Sequence, residues 1–497
     1  MKTTVRTETV RSDSPPEAEI HRFARSENLA RDHLERIRTF YDSAPVGLQA
    51  GARAYRALLA HYYNLLIPAG ASVLEIGCGS GELLSRIHAG RKVGVDLSSA
   101  QLAAARSRVP GARFFVQAGE QLELDPTEGP FDAIIVSDTL NLAADVQRLF
   151  ERLHTVAHRD TRLIVNFQNT LWRPLLSLAR WVGWKAPQPQ NSWLASSDVL
   201  NLLQLAGWSP ISRRGHILIP GRLLGFGSFV NRWGAPLLQW FCLTVFLVSR
   251  RAPAGPRPAL SVSIVIPARN EAGNIAAAVA RTPELGTGTE LIFVEGHSRD
   301  DTWAEIQRVA AAHPQRRITA LQQTGAGKGD AVRTGFAVAT GEVLMILDAD
   351  LTMPPEELPK FYDVIASGRA EFANGVRLVY PMEERAMQFL NLCANKAFGL
   401  IFTWLLGQPV KDTLCGTKAL TRAHYDRIAA NRVRFGDFDP FGDFDLLFGA
   451  AGLNLKIADV PIRYRERTYG STNIQRWRHG WLLLRMVVFA ARKLKFV

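Results

Sequence analysis

Short, uninterrupted apolar runs recur along the chain, and between them apolar residues fall at helical spacing. Before residue 250 the runs are SVLEI, KVGV, ARFFV, FDAIIVS and RLIVNF; after 260 they are SVSIVI, ELIFV, RITAL and EVLMIL. Buried strands alternating with helices predict an α/β fold with parallel sheets covered on both faces. RRAPAGPRPAL (residues 250–260) separates the two series, and its prolines predict a semi-rigid spacer. The series share no period, so the chain reads as a fusion of two domains rather than a duplication. The expected division is a polar tail over 1–30, a first domain over 31–251, a linker over 252–260, a second domain over 261–473 and a basic amphipathic helix over 474–497. The first residues hold no apolar core, which argues against a signal peptide and for a disordered tail. No run reaches the ~18 apolar residues of a membrane span. The nearest, Gly234–Ser249, is broken by Pro236 and Gln239 and is expected to be a short helix followed by a buried strand from Trp240.

The first domain carries its chemistry where its first strand ends. Ser72–Ile76 runs into Gly77-Cys-Gly79-Ser-Gly81, and Glu82 opens a helix. Glycines there allow a tight turn and bring backbone N–H groups close to a ligand. The next strand ends in Asp96, nineteen residues after Gly77, where an acid reaches a ribose diol. A dinucleotide fingerprint would put glycine at position 82; the pattern here is G-x-G-x-G. On EIGCGSG, VGVDLS, AGEQLEL and FDAIIVSDTLNLAAD, the half resembles the class I S-adenosylmethionine-dependent methyltransferases, over roughly residues 35–251. The resemblance implies a Rossmann-like fold and cofactor contacts at Glu75, Gly77, Gly79, Gly81, Asp96 and Glu120. Asp138 and Asn141 lie at the strand end where a base would sit; Tyr55, Tyr62 and Tyr63 either line the pocket mouth or pack in the core.

In the second domain, three strands end in PARNE (267–271), EGHS (295–298) and DAD (348–350). Strand ends of a parallel sheet converge on one crevice. Carboxylates at i and i+2 suit a hard divalent cation bridged to a diphosphate. Lys328, Asp330 and Arg333 in GAGKGDAVRTG add contacts for a nucleotide sugar. With LDADLTMPPEEL, NGVR, DTLCGTK, GDFDLL and RTYGSTN in order, the half resembles the family 2 glycosyltransferases of the GT-A fold, above all the dolichol- or polyprenol-phosphate sugar synthases. The resemblance implies a base and ribose site at Pro267, Ala268, Asn270 and Glu271. It implies Mg²⁺ or Mn²⁺ on Asp348 and Asp350, and a phosphate contact at Arg377. Arg467, with Ser471 near it, would grip a diphosphate or acceptor phosphate. Asp443 and Asp445 match the family's acidic positions and are the first and second candidates for a base, needed only if the acceptor is a hydroxyl. The family's V-D-D-G-S is here V-E-G-H-S: Glu295 replaces the first aspartate and Gly296 the second, which leaves the donor base open.

Composition sharpens the partners. The net charge of +13 comes from 59 Lys+Arg against 46 Asp+Glu, and residues 461–497 hold nine basic residues against Glu466. Arg478, Arg485 and Arg492 recur every seven residues, a stripe on a helix lying in an anionic membrane interface or packed on the transferase domain. Phe398–Leu406 reads either as core or as a lipid-facing groove. No nucleic-acid-binding motif accompanies the arginines. Four cysteines without C-x-x-C exclude a disulfide scaffold and point to a reducing compartment. The reading is a bifunctional transferase, peripheral at the cytoplasmic face of the membrane. It would move methyl from S-adenosylmethionine, and a sugar from a nucleotide sugar to a polyprenyl-phosphate or glycolipid acceptor. In the alternative, only the glycosyltransferase half is catalytic, acting on a glycan hydroxyl, and the other half is a ligand-binding module. Oligomeric state is left open.

Overall fold

The computed structural model describes residues 17–44, 50–182, 189, 194–220, 226–253, 258–377, 389–432, 444–465, 467, 469 and 476–496. Each series of apolar runs forms a seven-stranded sheet. The first comprises β1 (Ser72–Ile76), β2 (Arg91–Asp96), β3 (Arg113–Val116), β4 (Phe131–Ser137), β5 (Ala157–Gln168), β6 (Trp208–His216) and β7 (Thr244–Arg251). Their order is β3-β2-β1-β4-β5-β7-β6. β1 to β5 pair parallel, and β7 runs antiparallel between β5 and β6. Strand order reverses between β1 and β4, which opens a crevice at their carboxyl ends.

The second sheet comprises β8 (Val262–Ala268), β9 (Thr289–Glu295), β10 (Arg317–Gln322), β11 (Val343–Ile346), β12 (Phe372–Val376), β13 (Lys418–Thr421) and β14 (Ile457–Pro461). Its order is β10-β9-β8-β11-β13-β12-β14, with β13 antiparallel to both neighbours. The switch between β8 and β11 places PARNE and DAD at one crevice.

Two expectations change, and two open readings narrow. The helix Glu17–Ser43 begins inside the segment read as a polar tail. The strand after Gly234 starts at Thr244, and Trp240 and Phe241 are exposed in a turn before it. Phe402, Leu405 and Leu406 are core, so the 398–406 stretch is mainly a packing helix, with Leu400 outside. In the C-terminal helix Arg476–Leu494, Met486, Val487, Ala490 and Ala491 join that core, while Trp481, Leu484 and Val488 face out. Among the described residues, no helix is long and apolar enough to cross a membrane.

The linker does not hold the domains apart. Arg162 of β5 and Arg250 of β7 are cross-strand partners, both buried, and both reach Glu371, the residue before β12. Arg162 lies 2.9 Å from the Glu371 carboxylate and also donates to the Asn454 carbonyl at 3.1 Å. Arg250 donates to the Arg369 carbonyl, and Asn454 returns a bond to Leu66. Charges so deeply buried persist only when paired. Burial alone would push the Glu371 carboxyl up, but Arg162 and Arg250 outweigh it and hold it low. Asp160 and His424 lie close enough to Glu371 to resemble a metal cluster. Two guanidiniums already occupy Glu371, so this is an ion-pair network.

Candidate active sites

In the first crevice, Gly77, Gly79 and Gly81 all take positive φ (72°, 51° and 73°), which L side chains rarely adopt. A Cβ at Gly77 would also overlap Thr139. The loop closes on Asp96, whose carboxylate accepts from Gly79 N–H at 2.7 Å and Ser98 N–H at 2.9 Å. Burial raises the Asp96 pKa against those two bonds. Glu75, the penultimate residue of β1, is fully buried. Its Oε2 has no hydrogen-bond partner, and desolvation, with Arg56 opposing, pushes its pKa up to about 8. A buried, orphaned carboxylate under a glycine loop fits a ligand that brings a cationic or N–H donor. Glu120 is buried and accepts from Ala144 N–H at 2.8 Å.

Asp138 follows β4 with φ +51°, and a polar set surrounds it. Asn166 Nδ2 donates to it at 2.8 Å, Tyr55 Oη lies at 3.5 Å and Arg56 at 3.6 Å. Tyr63 is buried and donates to Asn166 at 2.7 Å, so it backs the set, whereas Tyr62 stacks on His216 in the core. Asn141 is buried in the short turn Leu140–Leu142. Sequence reading missed Arg56, and also Tyr41 and Asp42 at the end of the first helix. Asp42 accepts from Ser98 Oγ at 2.6 Å, and Asp96 raises the Tyr41 pKa beyond the effect of burial. None of these three sits in a motif; only the packing of the N-terminal helices brings them over the crevice.

The second crevice gathers Glu271, Lys328, Asp348, Asp350 and Arg467. Arg467 bridges Glu271 at 2.9 Å and Asp350 at 2.6 Å. Lys328, set at its helix start by Gly327 at φ +87°, lies 2.6 Å from Asp348. Burial would raise the Asp348 pKa, yet Lys328, with Lys418 and Arg377 behind it, holds it low. Burial raises the Glu271 pKa despite Arg467. A Cβ on Gly416 would overlap both Asp348 and Lys328, so the DTLCGTK loop closes directly on this pair. Arg377 is bidentate to the buried Asp412 at 2.7 and 2.9 Å, and stacks over Tyr464. Two strand-end carboxylates, each paired with a cationic side chain, are a donor set that accepts a hard cation once those cations find another anion.

Other sequence candidates have structural duties. Asp330 accepts from Gly325 N–H at 3.0 Å and closes its own loop. Arg333 is half-buried on the same helix, Lys328–Val338. Asn270, at φ +56°, bonds Ser298 and Arg299, tying PARNE to the EGHS loop beside Pro267 and buried Ala268. Asp445 pairs with Arg432 at 2.8 Å. Asp443 and Ser471 lie outside the described residues. Glu295 is buried and accepts from Ser298 N–H and Gln322. The residue missed here is Gln323. It is buried one position beyond β10, its Oε1 lacks a partner, and its Nε2 sits 3.5 Å from where a Gly296 Cβ would be. It stands in the space that the Gly296 replacement leaves. The strand-end rule applied to RITALQQ would have found it.

The comparisons agree with this division. Residues 73–160 match a methyltransferase domain model and residues 263–427 match glycosyl transferase family 2. The polyprenol monophosphomannose synthase of Mycolicibacterium smegmatis is 30% identical over 224 residues, 44% of this chain and 82% of the relative. The dolichol-phosphate mannosyltransferase of Pyrococcus furiosus is 27% identical over 222 residues, 44% of this chain and 60% of its own length. The crystal structure of magnesium protoporphyrin IX methyltransferase from Synechocystis covers 44% of this chain and 100% of its own, at 18% identity and TM-score 0.31.

Proposed function

The chain belongs to glycosyl transferase family 2 through residues 263–427 and carries a methyltransferase domain ahead of it, and from this we propose a bifunctional transferase. Its C-terminal half would pass a sugar, with inversion, from a nucleotide sugar to a polyprenyl-phosphate or glycolipid acceptor. The observation that carries the reading is the pairing of Lys328 with Asp348 and of Arg467 with Asp350. Asp348 and Asp350 would hold Mg²⁺ or Mn²⁺, which when bound supplies charge neutralisation at the leaving diphosphate. Lys328 and Arg467, displaced from the carboxylates, then have phosphate oxygens to meet, so cation and nucleotide favour each other's binding. A lipid phosphate acceptor is already anionic and needs no base; a hydroxyl acceptor would call on Asp443 or Asp445. The outward side of the C-terminal helix, with Trp481 and Arg485, supports a peripheral place on an anionic membrane.

Gln323 replaces the missing aspartate as the reader of the donor base. Calorimetry with UDP-, GDP- and dTDP-sugars in Mn²⁺ should show one preferred nucleotide. Gln323→Leu should weaken that one about tenfold, the worth of one hydrogen bond. An unchanged preference would remove Gln323 from the base site.

For the first half, we infer S-adenosylmethionine bound over Gly77–Gly81 with its ribose at Asp96 and its amino group toward Glu75. The cofactor supplies an electrophilic methyl group; Asp138, held by Arg56 and Asn166, is placed to orient the acceptor. With its pKa near 8, Glu75 is largely protonated at pH 7. A cationic ligand group lowers that pKa, so binding should release up to about one proton. Titrations at pH 7 in buffers of different ionisation enthalpy should therefore give different apparent enthalpies. Identical enthalpies would exclude the Glu75 contact.

A further inference from the structure

The methyltransferase half exposes three apolar surfaces that neither crevice uses. Along the helix Arg173–Trp181, the residues Leu171, Leu175, Leu178 and Val182 follow spacings of four, three and four, so they line one side, and all are exposed. Trp181 beside them is 85% exposed. On the helix Phe226–Trp233, Phe226, Phe229 and Trp233 form a second exposed line. That helix cannot turn its aromatic side inward. Its other side is locked by Asn231, which accepts from Leu218 and Ile219 N–H and donates to Ile219 O, at 2.8 to 2.9 Å. The third surface is the turn before β7, with Leu237 68% and Trp240 71% exposed and Leu238 and Phe241 beside them.

Hydrogen bonds and ring contacts join these surfaces. Trp172 Nε1 donates to Phe241 O at 2.7 Å, and Asn169 Nδ2 to Trp240 O at 2.9 Å, which fixes the turn against the first helix. Trp404 Nε1 holds Pro236 O at 2.7 Å, and Trp233 stacks on Phe496 just past the C-terminal helix. With aromatic side chains carrying 150–250 Å² each, the three surfaces together expose roughly 1,000 Å² of apolar side chain.

The segment that carries them is basic. Residues 171–241 hold seven Lys and Arg and a single carboxylate, Asp198. Arg173 and Arg180 lie on the first helix, Arg232 on the second, and Arg213 sits over the Trp240 ring at 5.3 Å. The C-terminal helix holds no Asp or Glu either. Apolar stripes with tryptophans, edged by arginine, suit the headgroup layer of an anionic bilayer. A second copy of the same face would set arginines against arginines with no carboxylate to answer them.

We propose that this face of the methyltransferase half, the helices Arg173–Trp181 and Phe226–Trp233 with the turn at 237–241, docks the protein onto an anionic lipid surface. It is a membrane contact separate from the outward side of the C-terminal helix, and it does not depend on which sugar or methyl group is transferred. Because Arg162 and Arg250 lock the two halves together, docking here also sets the orientation of the glycosyltransferase crevice above the bilayer.

The test is co-sedimentation of the full chain with vesicles of phosphatidylcholine alone or with 30 mol% phosphatidylglycerol, about the anionic content that gives a surface potential. The wild type should partition onto the anionic vesicles and be weakened by salt. The exposed-residue variant Trp181→Gln/Phe229→Gln/Trp240→Gln, checked for unchanged circular dichroism and melting, should lose about tenfold or more in partitioning. Trp481→Gln/Leu484→Gln should retain most of it. The proposal is overturned if the triple variant binds as wild type does, or if neutral vesicles bind equally. It is also overturned if the wild type ignores vesicles and is instead a dimer that the triple variant dissolves.

Discussion

Asp350→Ala should reduce metal-dependent sugar transfer by about 10³-fold, on the scale of losing a principal electrostatic group at a leaving charge. Two effects combine. The proposed cation would lose one of its two carboxylates, and Arg467 would lose the partner that holds it across the crevice, 2.6 Å from Asp350 and 2.9 Å from Glu271. Asp350 also accepts from Thr352 N–H and Oγ, so the turn after β11 loosens. Methyl transfer, on a different sheet, should stay within a factor of two, which separates a site effect from general unfolding. Asp350→Asn keeps the Thr352 bonds and removes the charge, and should be nearly as inactive. Sugar transfer within threefold of wild type in either variant would show that Asp350 is not part of the metal site.

Glu371→Ala should destabilise the protein by about 3–5 kcal/mol, the cost of breaking a buried pair from one side. Arg162 and Arg250 would be left buried, each still bonded to carbonyls but without the carboxylate they share. Because both arginines belong to the first sheet and Glu371 to the second, the damage falls on the domain contact. Denaturant unfolding should change from one transition to two. The pH dependence has a definite sign. Arg162 and Arg250 hold the Glu371 carboxyl below its ordinary range, so its contribution is present above that range and is lost as pH falls through the lowered value. The wild type should lose stability in acid more steeply than the variant does. A midpoint unchanged by Glu371→Ala would mean that the domains are joined by packing alone.

Much of both crevices was legible because strand-end chemistry is local. The glycines of 77–81, Asp96, the 348–350 pair and PARNE each sit within a few residues of an apolar run that announces its strand. Gly416 was legible only as part of a motif; that its bare Cα is required by Asp348 and Lys328 depends on β11 and the 412–418 loop meeting in space. Gln323 was within reach of the strand-end rule, one position past RITALQ; that its Oε1 is buried without a partner became visible only once its surroundings were built. Arg56, Tyr41 and Asp42 come from helices whose periodicity says that they pack, and not onto what.

The turn at Trp240 shows where apolar pattern misleads. WFCLTVFLVSR looks like one buried strand, yet pairing with β5 and β6 begins only at Thr244, and the two aromatics before it face outward. Hydrophobicity along the chain reports what a residue prefers, and pairing partners decide whether it is granted. The same limit applied to the linker. Its prolines implied separation, whereas Arg162 and Arg250, each more than 100 residues from Glu371 in sequence, close the two domains on each other through it.

The sequence by itself determined two α/β domains, their order, and the strand ends that carry glycine, carboxylate and cation, because those features are set by residue type and spacing within one strand–turn–helix unit. The tertiary structure alone decided that Lys328 and Arg467 pair with Asp348 and Asp350, that the halves share a buried ion-pair network, and that apolar, arginine-edged surfaces lie open on the first half. Each of these depends on which side chains distant in sequence become neighbours, and that is settled by packing, which pairs the charges it buries at the domain contact and leaves uncovered apolar stripes as a surface.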